Sequence, residues 1–117
     1  MKKMNLEAKA KIVAALRSGE YQKATGKLRS ANTGCYCVWG VICAISGLGA
    51  WDDKNIFQCD GDQGYGYALP PRAVQEWTGL DDEQEVTING VTQSLMAHND
   101  TSNATFEEMA TAIEEQL

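Results

Sequence analysis

Residues 35–45 read CYCVWGVICAI, a run without one charged or amide side chain. Such a segment has no face suited to water, so whatever fold the chain adopts must cover it from all sides. It falls far short of the roughly 18 to 20 apolar residues that span a bilayer, which makes it a core element. Its length favours a buried helix, while the β-branched Val38, Val41, Ile42 and Ile45 leave a strand open. Gly40, in its middle, would cost about 1 kcal/mol against Ala in an exposed helix. Close approach of another helix or of a sheet to the backbone would account for it. Ser46-Gly47 ends the segment.

The flanking sequence supplies the cover. Asn5 as N-cap, Glu7 in the first turn and the face of Ile12, Val13 and Leu16 predict an N-terminal helix, with Arg17 in the last turn and Gly19 as the stop. Residues 20–33 read as a loop with a short extended stretch. Residues 47–69, rich in Gly, Asp and Asn, read as a long loop or a pair of irregular strands. Pro71 suits position N1 of a short helix carrying Val74 and Trp77 and closed by Gly79. Residues 85–88, the pair Asn89-Gly90 and residues 91–94 predict a β-hairpin on a type I′ turn. Its register pairs Ile88 with Val91 and Thr87 with Thr92, with Val86, Ile88 and Val91 facing inward. Thr105 and Glu108 form a capping box for a C-terminal helix whose stripe is Phe106, Met109, Ala110, Ile113 and Leu117. The expected fold is α+β, a single domain over residues 1–117. It has N- and C-terminal helices, a central buried apolar helix and a small antiparallel sheet that includes the hairpin at 85–94.

The chain has 117 residues and a formal net charge of −6. That balance opposes binding to nucleic acid or to an anionic membrane surface, because both depend on clustered Lys and Arg. Nucleic-acid and membrane partners are therefore not expected. Most of the cations lie between Lys2 and Arg29, and the C-terminal half is acidic. No signal-peptide apolar region follows Lys2 and Lys3, so the expected location is the cytoplasm.

Familiar chemical motifs are incomplete. Gly26-Lys27 lacks the upstream glycine and the following Ser or Thr of a phosphate-binding loop. The run from Asp60 to Gly66 alternates acids as a calcium loop does, without the later glutamate. The four cysteines, Cys35, Cys37, Cys43 and Cys59, lack the paired spacing of a zinc site and read as buried thiols. No metal and no cofactor are expected. A thiol enzyme would use Cys37 at a helix N-terminus with His98 as base. His98, however, sits in a polar stretch that reads as a surface loop before the last helix.

The remaining candidates are aromatic residues in glycine-rich loops. Trp51, Tyr65 and Tyr67 are the expected contact residues, because Trp and Tyr bring large area at low entropy cost. Tyr21, Lys27 and Arg29 form a neighbouring basic edge.

Several stretches also share a common pattern. Residues 15–22 (ALRSGEYQ) with Gly26-Lys27-Leu28-Arg29, residues 36–43 (YCVWGVIC), Leu69-Pro70-Pro71 with Val74 and Trp77, and Asn99-Asp100 with Phe106, Glu108 and Ala110 occur in this order. In this the chain resembles a family of small, functionally uncharacterised bacteriophage and prophage proteins. It departs from them at Val38, where a second cysteine is frequent, and at His98, where an apolar residue is frequent. The resemblance implies a phage origin and action in the host cytoplasm. The expected function is that of an accessory protein, a non-enzymatic binder of a host protein or small molecule, for example in counter-defence. The alternatives are a cysteine-dependent enzyme using Cys37 and His98, and a virion or assembly component. Oligomeric state is left open.

Overall fold

A computed structural model describes residues 4–25, 28–30, 34–59, 69–81, 83–102 and 104–117. Among them are five helices and two antiparallel strand pairs, an α+β arrangement. Helix α1 spans Leu6–Arg17 and α2 spans Val38–Ser46. Strands β1 (Ala50–Trp51) and β2 (Phe57–Gln58) follow, then α3 (Arg72–Thr78). The hairpin is β3 (Glu85–Ile88) and β4 (Val91–Ser94), and the chain closes with α4 (Leu95–Asp100) and α5 (Phe106–Gln116).

The apolar segment divides. Its first residues are extended, and Tyr36 bridges to Lys23 on one side and Arg29 on the other. Helix starts at Val38, after Cys37 in an extended N-cap conformation, and stops at Gly47 with φ +71°. Every residue from Val38 to Cys43 is buried. Gly40 does mark a close approach, but the element that approaches is the 20–36 loop. A Cβ built at Gly40 would lie 1.7 Å from the Leu28 carbonyl oxygen, so only glycine fits there.

Around α2 the amphipathic elements turn their apolar faces inward. Ala8, Ile12, Val13 and Leu16 of α1 and Phe106, Met109, Ala110 and Ile113 of α5 join one buried cluster with Trp39, Val41 and Ile42. The caps work as their residue types demand: Asn5 Oδ1 accepts from the Glu7 and Ala8 amides, and the Thr105–Glu108 capping box closes in both directions. Across the outer edge of α1 and α5, Arg17 reaches Glu107, Thr111 and Glu114. Among the described residues, no helix is long and apolar enough to cross a membrane.

The hairpin pairs Ile88 with Val91 and Thr87 with Thr92, and its turn places Asn89 at φ 53° and Gly90 at φ 82°. Val86 and Ile88 are buried, but Val91 is 45 % exposed, against expectation. Helix α5 packs on β3, and the tip of β4 lies beyond its cover. Pro71 is the N-cap of α3 and not its first helical residue.

A further correction concerns His98. It lies in α4, an extra helix capped by Ser94, and is completely buried with Asn99. Both side chains are polar, and both are satisfied inside: this is what allows a polar sequence to be core.

Candidate functional site

Within residues 20–36, the described segments around Lys23, Arg29 and Tyr36 lie side by side. Tyr36 is the middle one: its amide donates to the Gln22 carbonyl and its carbonyl accepts from the Ala24 amide, both at 2.7 Å. On the other side, Ser30 N–H meets Cys35 C=O at 2.8 Å and Cys37 N–H meets Leu28 C=O at 3.2 Å. Asn99 ties this loop to α2. Its Oδ1 accepts from Val38 N–H at 3.1 Å, and its Nδ2 donates to Ala24 C=O at 2.8 Å.

A second support comes from β1 and β2, where Trp51 stands opposite Phe57. The turn between them is organised by Asp52, whose Oδ1 accepts from the amides of Lys54 (2.8 Å) and Ile56 (3.0 Å) while Oδ2 accepts from Gln58 Nε2 (2.9 Å). These bonds, led by that from Ile56, hold the Asp52 carboxyl below its ordinary range.

The two supports bring aromatic rings into one row. Tyr21 meets Tyr36 edge-on at 5.2 Å, Tyr36 lies 5.9 Å from Trp51, and Trp51 meets Phe57 at 5.0 Å. Phe57 is buried, whereas Tyr21, Tyr36 and Trp51 are half-buried. Partial burial, with Glu20 nearby, raises the Tyr21 phenol above its usual range. The Arg29 guanidinium lies over two of the rings, 5.8 Å from the centre of Tyr36 and 5.5 Å from that of Trp51.

Of the residues expected to make contacts, Tyr21, Arg29 and Trp51 therefore meet, although far apart in sequence. Lys27, Tyr65 and Tyr67 lie outside the described residues. Sequence reasoning missed Tyr36, which touches three members of the cluster, because it was absorbed into the apolar run. The signal was its place just before the helix, where the chain is still extended. The grooves flanking α5 hold none of these residues. One is lined by residues such as Thr87 and Glu108, the other by Leu6, Ala10 and Ala14.

The thiols sit elsewhere. Cys37, Cys43 and Cys59 are buried and Cys35 half-buried. Burial pushes the Cys37 thiol up to about 11, outweighing the α2 amides that favour the thiolate, and Cys43 is pushed higher still. Both His98 ring nitrogens are engaged: Nε2 donates to Val86 C=O at 2.8 Å, leaving Nδ1 to accept from Gln93 Nε2 at 3.3 Å. Neither residue is arranged as a nucleophile–base pair would be. Among the described residues, no group of three or more His, Cys, Asp or Glu is placed to hold a metal ion.

Fold and cluster together define a small α+β domain with an arginine laid over a row of half-buried aromatic rings. The chain belongs to a family described as a domain of unknown function (DUF8296), whose model matches residues 4–117. No curated protein and no solved structure matches it.

Proposed function

We propose that this is a bacteriophage accessory protein that works by binding, without catalysis, to a host molecule in the infected cell. The observation that carries the reading is the convergence of Tyr21, Tyr36, Trp51 and Arg29, half-buried side chains of the types that dominate binding energy elsewhere. Two further features support it. The Cys37 thiol is held protonated by burial, and the ring nitrogens of His98 are committed to Val86 and Gln93, which leaves the thiol-enzyme alternative without an activated nucleophile. The order of motifs shared with small phage and prophage proteins supports the phage origin.

The test is a tagged pull-down from host lysate with the eluted species weighed by native mass spectrometry. The wild type should retain a stoichiometric partner or metabolite. Trp51→Ala combined with Tyr21→Ala should lose it while keeping the wild-type circular dichroism spectrum. Undiminished retention by that folded variant would overturn the site assignment.

A further inference from the structure

If the aromatic cluster is a binding site, as proposed, its chemistry also narrows the class of ligand. Arg29 makes no ion pair with any described carboxylate, and its buried Nε has no hydrogen-bond partner. Arg17, by contrast, is saturated by Glu107 and Glu114. In a chain with 16 acidic and 10 basic residues, an unpaired and partly buried guanidinium calls for a reason.

The stretch of chain that carries Arg29 is poor in carboxylates. No Asp or Glu occurs from Tyr21 to Trp51, whereas Lys23, Lys27 and Arg29 all do. The next acid, Asp52, has both carboxylate oxygens committed to its own turn. Thus Tyr36 and Arg29 lie within an acid-free stretch of an acidic protein, with Glu20 beside Tyr21 at its edge, and the guanidinium is held in place by two rings. A guanidinium fixed in this way presents a planar fork matched to phosphate or carboxylate, at little entropy cost.

We infer that this cluster takes a small molecule carrying both a planar ring and a phosphate, the chemistry of a nucleoside phosphate. The phosphate sits on the outer guanidinium nitrogens of Arg29, and the ring stacks in the row formed by Tyr21, Tyr36 and Trp51. Base-on-aromatic stacking is tolerant of base identity, so the phosphate and the ring are each recognised by a distinct part of the cluster. The net charge of −6 tells against a polymer, whose many phosphates would meet the acidic surface beyond the site.

Calorimetric titration of the full chain with AMP, GMP, CMP and UMP, with the four matching nucleosides and inorganic phosphate as the separate halves, tests this. At least one nucleotide should bind about tenfold or more tightly than its nucleoside, the gain expected of a charge-assisted hydrogen-bonded pair. Arg29→Gln should remove that gain and leave nucleoside binding unchanged. Arg29→Lys, which keeps the charge without the fork, should restore part of it, and its recovery guards against a folding defect in the glutamine variant. Equal affinity for nucleoside and nucleotide, or no binding of any of the four, overturns the inference. So does tighter binding of a ten-nucleotide single strand than of the mononucleotides. A Trp51-dependent partner of other chemistry in the lysate experiment would still uphold the binding reading, so the two fail separately.

Discussion

The carboxamide of Gln116 lies against the backbone of Thr87 as a neighbouring strand would. Its Oε1 accepts from Thr87 N–H at 2.8 Å and its Nε2 donates to Thr87 C=O at 2.7 Å. Thr87 and Thr92 form a pair whose backbone groups point outward, since the ladder bonds alternate from the Ile88–Val91 pair at the turn. One side chain of α5 thereby occupies the outer edge of β3. Gln116→Ala should cost about 1 to 2 kcal/mol in urea unfolding, for two hydrogen bonds near the surface. An unchanged midpoint would mean that water replaces the amide at no cost.

Gly40→Ala should have the opposite sign from the same change in an exposed helix. There alanine gains about 1 kcal/mol. Here its methyl would overlap the Leu28 carbonyl, and overpacking against backbone should destabilise by about 3 kcal/mol. A variant as stable as the wild type in thermal denaturation would show that the loop can retreat freely.

Asn99→Ala takes the side-chain partner from two backbone groups, the buried Val38 N–H and the part-buried Ala24 C=O. A loss of about 3 kcal/mol is expected from unsatisfied groups of this kind. Because the same side chain pins the 20–36 loop, the near-ultraviolet signal of Trp51 and Tyr36 should weaken as well. Lost stability with an unaltered aromatic signal would separate Asn99 from the positioning of the cluster.

Thiol labelling at pH 8 should find Cys35 first, since Cys37, Cys43 and Cys59 are buried. With its thiol held up to about 11, Cys37 carries little thiolate at that pH and should label only as fast as the protein opens. Mass mapping that finds Cys37 modified within the first fraction of label would revive the thiol-enzyme reading.

Glu108 is held below its ordinary value of 4.5, first by the Thr105 amide and then by Asn89. A carboxyl whose value is lower in the folded state adds stability above the unfolded value and loses it as pH falls through the folded one. Between pH 7 and 5 the wild type should therefore hold its full advantage over Glu108→Gln, and below about pH 4.5 the difference should shrink. A difference in melting temperature that stays constant from pH 7 to well below about pH 4.5 would remove the charge from the cap's contribution.

Local signals were the ones legible in advance. Asn89-Gly90 set the hairpin register, Thr105 with Glu108 set the start of α5, and Gly40 marked a close approach, each through backbone geometry that few residues satisfy. Helix α4 escaped because six residues are too few to show a period, and because His98 and Asn99 are polar residues whose partners, Val86 and Val38, come from other elements. Burial of that sort depends on tertiary hydrogen bonds and leaves no mark in composition. Trp51, Tyr21 and Arg29 stand out singly in their loops, while Tyr36, the ring that joins them, is masked by the apolar run that contains it.

The pairing of α1 with α5 bears on how the protein is made. Arg17 and Glu107 are 90 positions apart, yet the apolar faces beside them share one core. During synthesis Ile12, Val13 and Leu16 leave the ribosome long before Phe106, Met109 and Ile113 exist to cover them. Helix α2 can cover part of that face once it emerges, but the side that meets α5 stays open until the end of the chain, and a message truncated ahead of α5 would yield an aggregation-prone fragment.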